Sequence, residues 1–159
     1  MYKYILFIAA CASLLSSCLT EPVFDIVPRI EFRSVTKNVM NQTTSFTQDS
    51  TLTTIYFEDG DGDLGGDSLA IFVIDKRTDE IDLQYRVTKI EIDGVSNAIS
   101  GTISFPLLSA CCIYDSGQPP CTASNPLIEQ EVIYEVFIKD RAGNESNRIE
   151  LTPITLICR

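Results

Sequence analysis

Ten residues concentrate the chemistry of this chain: Glu58-Asp59-Gly60-Asp61-Gly62-Asp63-Leu64-Gly65-Gly66-Asp67 sets five carboxylates and four glycines between two apolar runs. Charge at that density repels itself unless a positive group sits among it. Asp59, Asp61 and Asp63 recur at every second residue, and the intervening glycines permit backbone angles that curl the chain until the three side chains face one point. Such a cage suits Ca2+, which takes about six to eight oxygens, better than the stricter octahedron of Mg2+. The expected metal ligands are Asp59, Asp61, Asp63 and Asp67, with Asp140 and Asn144 of a later turn as candidates for further oxygens. A plain solvated turn is the competing reading, because Asp-Gly repeats turn well unaided.

Of six cysteines, Cys111, Cys112, Cys121 and Cys158 lie in the last third of the chain. In an exported protein this even set implies two disulfides. Vicinal Cys111 and Cys112 rarely bond each other, because the ring so formed strains their peptide. Two pairings are left, each joining one of the vicinal residues to Cys121 and the other to Cys158. A four-thiolate zinc site lacks its usual CxxC pair. With no histidine, the commonest metal imidazole and the commonest general base are both missing. A metal-dependent or carboxylate-pair hydrolase is the remaining enzymatic alternative. Its acidic pairs fall in turns or on exposed strand positions, whereas catalysis needs rigidly placed groups, so no enzyme is expected.

The chain starts with Lys3 and an apolar run over 4–12 that is too short to span a bilayer, the pattern of a targeting leader. Leu15-Ser16-Ser17-Cys18 follows and resembles the lipobox of bacterial lipoproteins. That resemblance implies removal of residues 1–17, acylation of Cys18 and attachment to a membrane through an N-terminal lipid anchor. Ile8-Ala9-Ala10-Cys11 fits the same pattern but would leave a second apolar run on the mature chain. Leu19 and Thr20 lack the aspartate that signals inner-membrane retention in such lipoproteins, which implies the outer membrane. Taking 17 residues from 159 leaves 142, with 11 basic and 22 acidic side chains once Lys3 is gone, hence a net charge of −11. Nucleic acid is a poor partner for that surface. Residues 18–28, with Pro22 and Pro28, read as a tether, and 29–159 as one domain.

The elements that position the acidic stretch read as strands. Short β-rich runs bounded by turn residues occur at 30–37, 51–58, 69–75, 85–93, 99–105, 131–139 and 148–157. Tyr134, Val136 and Ile138 alternate, as do Ile90 and Ile92, so one face of each strand enters a core. About seven strands without helices predict an all-β, two-sheet β-sandwich. Tyr134 to Lys139 followed by Asp140-Arg141-Ala142-Gly143-Asn144-Glu145-Ser146 resembles the closing strands of bacterial immunoglobulin-like and fibronectin type III-like domains. That resemblance implies an immunoglobulin-like sandwich.

Set against an EF-hand loop, the acidic stretch has Leu64 where the invariant glycine belongs and Ala70 where a bidentate glutamate is needed. It loosely resembles calcium-bearing β-sandwiches instead, in which neighbouring loops complete the site. The long loop at 110–127 carries three of the cysteines, and Ile113 and Tyr114 near its crown either contact a partner or pack beneath it. These features predict a non-catalytic, calcium-stabilised envelope module that contacts another envelope protein or a matrix component. The alternative is a carbohydrate-binding module in which the cysteine-stapled loop and the ion together shape a glycan site.

Overall fold

β-Branched and aromatic residues at every second position give the chain pleated faces to bury and no helical stripe, and no helix occurs among the described residues. The computed structural model describes residues 23–90, 97–115 and 117–159. The leader, the predicted lipidation site Cys18, and Ile92 lie outside them. Ten strands form: β1 (Arg29–Val35), β2 (Val39–Asn41), β3 (Ser50–Asp59), β4 (Leu69–Asp75), β5 (Glu80–Arg86), β6 (Ile99–Leu108), β7 (Glu129–Val132), β8 (Tyr134–Ile138), β9 (Ile149–Glu150) and β10 (Ile154–Ile157).

They hydrogen-bond as β1-β3-β6, β2-β10-β7 and β5-β4-β8-β9. The last two ladders are halves of one sheet. β7 and β8 are separated only by Ile133, and the Leu151 amide donates to the Tyr134 carbonyl at 2.9 Å across the break between β9 and β10. Register moves from Glu135 opposite Glu150 to Val132 opposite Ile154, one residue more on the later strand. Pro153 lies in this bulge, where its missing N–H costs no ladder bond. The fold is therefore a two-sheet β-sandwich, one sheet β1-β3-β6 and the other β5, β4, β8 with β7, β9 with β10, and β2; counting β1 and β2 as one track shared between the sheets, it has seven strand tracks. The first track laces the sheets together. β1 pairs antiparallel with β3, and β2 crosses over to pair parallel with β10. This is an immunoglobulin-like arrangement.

The strand rhythm decides what is buried. Along β3, Thr51, Thr53, Ile55, Phe57 and Asp59 all turn inward, so the aspartate that ends the strand occupies a core position. Tyr134, Val136 and Ile138 of β8 alternate inward as predicted, each with no exposed surface. The Tyr134 hydroxyl has no hydrogen-bond partner in the protein, and burial raises its pKa. Removing a buried, unpartnered hydroxyl relieves its desolvation, so Tyr134→Phe is expected to raise unfolding stability by about 1 kcal/mol. A fall of that size in the unfolding free energy, read from denaturant melts, would show that the hydroxyl is bonded.

Candidate metal centre

Asp59 is the anchor of the acidic loop. It is fully buried, and its Oδ2 accepts the Leu64 amide at 2.9 Å. Leu64 is 1% exposed, so its side chain plugs the core while its amide folds the loop back onto the aspartate. Two glycines let the loop press against its neighbours. The Gly66 amide donates to the Val87 carbonyl at 2.8 Å, and a Cβ on Gly65, whose φ is +88°, would meet the Thr88 carbonyl at 2.8 Å. On another side the Ala142 amide donates to Asp63 Oδ2 at 2.9 Å, tying the loop to the 140–144 turn.

These restraints bring Asp59, Asp61 and Asp63 together, with one carboxylate oxygen from each lying within 4.8 Å of the others. Asp59 is buried, Asp63 half-buried and Asp61 exposed. The backbone amides use Oδ2 of Asp59 and Oδ2 of Asp63. Oδ1 of Asp59 and Oδ1 of Asp63 are shielded from solvent and have no hydrogen-bond partner. Two carboxylates offer each other only acceptors, so the arrangement needs a proton or a cation between them. Three hard oxygens on a loop that can add main-chain oxygens and water fit Ca2+.

The other predicted ligands fall differently. Asp67 is exposed and stands outside the three-oxygen group. Asp140 is 4% exposed, but its own turn occupies its carboxylate. Oδ1 accepts the amides of Gly143 at 2.6 Å and Asn144 at 2.8 Å, and Oδ2 accepts Asn144 Nδ2 at 2.8 Å. Asp140 and Asn144 thus build the turn that presents the Ala142 amide to Asp63. Sequence reasoning missed a fourth wall, the segment before β1. The Gly60 amide donates to the Asp25 carbonyl at 2.8 Å. No carboxylate spacing marks that contact.

Burial, then the adjoining Asp61 carboxyl, push Asp59 up to about 6 against the opposing pull of the Leu64 amide. Burial and the charges of Asp140 and Asp61 raise Asp63, opposed by the Ala142 amide and Arg141. The usual aspartate value is near 4, so between roughly 4 and 6 the ion-free fold holds more protons than the unfolded chain. Its stability therefore falls as pH rises through that window, by an amount on the order of 3 kcal/mol for Asp59. Unfolding in chelator should show wild type losing stability relative to Asp59→Asn from about pH 4 to pH 7. A gain relative to the variant would contradict the burial of this charge.

The cysteines mark the opposite end of the sandwich. Cys111 pairs with Cys121, Cα atoms 4.5 Å apart, and Cys112 with Cys158, Cα atoms 5.9 Å apart. The vicinal residues face opposite ways: Cys112 is fully buried beside the end of β10, whereas Cys111 turns toward the loop. Arg77, paired with the buried Asp75 at 2.6 Å, donates to the Cys111 carbonyl at 3.0 Å and ties the β4–β5 turn to the stapled loop. Between them lies a cavity of about 410 Å3 lined by Thr43, Gln48, Glu80, Asp82, Ile113 and Pro120 among others. Ile113 is 42% exposed, whereas the Tyr114 hydroxyl is spent on the Thr122 carbonyl at 2.6 Å and its ring packs on the core.

The full length of β3 separates this end from the acidic loop. Ser50 pairs with Leu108 at the stapled end, and Asp59 with Ile99 at the acidic end. At about 3.3 Å per residue that distance is roughly 30 Å, so the stapled loop and the acidic loop do not line one common site. No protein-family model, no curated protein and no solved structure matches the chain.

Proposed function

We propose that the chain is a lipid-anchored, non-catalytic module of a bacterial envelope, a β-sandwich stabilised by Ca2+ at its acidic end and presenting its disulfide-stapled end to another envelope component. The observation that carries the calcium reading is Asp59, buried with a bare Oδ1 beside the oxygens of Asp61 and Asp63. Membrane attachment rests on the lipobox ending at Cys18. The two are linked by chain length. Six residues lie between Cys18 and Asp25, a reach of seven Cα steps, which holds Asp25 and the Gly60 turn that it contacts within about 25 Å of the lipidated cysteine. The stapled end is the end of the sandwich farther from that tether, and it carries exposed Ile113, Ile81 and Phe46. Outer-membrane location follows from Leu19 and Thr20.

Cys18→Ser is the test of the anchor. Wild type should incorporate labelled palmitate and sediment with membranes, and the variant should do neither. A variant that keeps both would place the anchor elsewhere. A second reading, glycan binding, is favoured only by the polar cavity at the stapled end. Glycan-array binding that persists in chelator would support it.

A further inference from the structure

We propose that the acidic loop is also the lock that docks the segment before β1, so that Ca2+ occupancy sets how the domain is held relative to its lipid anchor. This inference rests on the calcium reading and adds a regulatory role to that site.

Gly60 lies between two of the ion-facing residues, Asp59 and Asp61. Its amide holds the Asp25 carbonyl at 2.8 Å. The contact is close: a Cβ on Gly60 would stand 2.5 Å from the Phe24 carbonyl oxygen and 2.6 Å from that of Asp25. Asp25 in turn shapes the run into β1, its Oδ1 accepting the Val27 amide at 3.0 Å. Asn147 grips the start of β1 from the far side, accepting the Ile30 amide at 2.9 Å and donating to the Ile30 carbonyl at 3.0 Å.

Little apolar burial helps the segment stay in place. Val23 is 96% exposed, Ile26 60% and Val27 42%, leaving Pro28 buried and Phe24 half-buried. A segment with so few buried contacts opens locally at low cost, so its docking depends on the shape of the backbone that it leans on. That shape is set by Asp59 and Asp61. With a cation between their oxygens, and between Asp59 Oδ1 and Asp63 Oδ1, the turn through Gly60 is fixed. Without one, the carboxylates repel, and at neutral pH that repulsion is expected to loosen the turn through Gly60 and its hold on Asp25. The unpartnered, fully buried Asp59 oxygen is what separates this loop from an ordinary acidic turn.

The test is amide hydrogen exchange on the full chain in detergent, in saturating Ca2+ and in chelator, beside calorimetry with Ca2+. Exchange at Gly60 and Val27 should slow by about tenfold or more with Ca2+. Asp25→Ala removes the acceptor of the Val27 amide but keeps the carbonyl that Gly60 holds, so it should keep both the calorimetric heat and the Ca2+-dependent slowing at Gly60. Gly60→Ala, whose Cβ would collide with the Phe24 and Asp25 carbonyls, should undock the segment and lose the Ca2+-dependent slowing at Val27. Heat of binding with unchanged exchange at both amides would overturn the lock and leave the ion site standing. Absence of heat would overturn both.

Discussion

In saturating Ca2+ the protein is expected to unfold about 10 °C higher than in chelator, and Asp59→Asn is expected to erase that difference. A ligand at a hundred times its Kd stabilises the fold by about 2.7 kcal/mol, and for a domain of this size each kcal/mol moves the midpoint by about 4 °C. The sign of the substitution depends on the ion. In chelator near neutral pH, Asp59→Asn removes a buried charge and supplies an amide N–H that can donate to Asp61, so the variant should be the more stable protein. With Ca2+ the order reverses. Identical midpoints for wild type with and without Ca2+ would remove the ion from the account.

Replacing both Cys112 and Cys158 with alanine should cost about 4 kcal/mol, a large share of the total stability of an ordinary domain. The bond links positions 46 residues apart, so it removes much of the freedom of the unfolded chain. Both cysteines are also fully buried, between the stapled loop and the end of β10. Cys111 and Cys121 close a separation of only 10 residues, and their removal should cost about 1 kcal/mol less, with the loss confined to the loop. Denaturant midpoints under non-reducing conditions distinguish the two. A loss below about 1 kcal/mol for the buried pair would mean that the core holds without it.

The sandwich was legible in the sequence because alternation survives in its inner strands. The run at 69–75 coincides with β4, and the inward Tyr134, Val136 and Ile138 stand where their spacing put them. Edges and breaks were harder to read. β2 is three residues long and gains its order from parallel pairing with β10, a tertiary contact without a local signal. β5 starts at Glu80 rather than at residue 85, because an edge strand of exposed Glu80, Ile81 and Asp82 shows no buried rhythm. The runs at 131–139 and 148–157 each split in two around Ile133 and the Pro153 bulge.

At the candidate site, spacing picked out the aspartates that converge but not their limit. Asp67 continues the acidic run in sequence, yet it lies past Gly65 and Gly66, whose positive φ angles turn the chain away. The disulfide pairing was open for a related reason. Two adjacent cysteines point opposite ways, and which of them faces the core depends on how the loop leaves β6.

Calorimetric titration of the chelator-treated protein with Ca2+, alongside Asp59→Asn, Asp63→Asn and Asp67→Asn, tests the ion site most directly. One site per chain is expected, lost in Asp59→Asn and Asp63→Asn and retained in Asp67→Asn. No heat with wild type, or a loss in Asp67→Asn equal to that in Asp59→Asn, would contradict it.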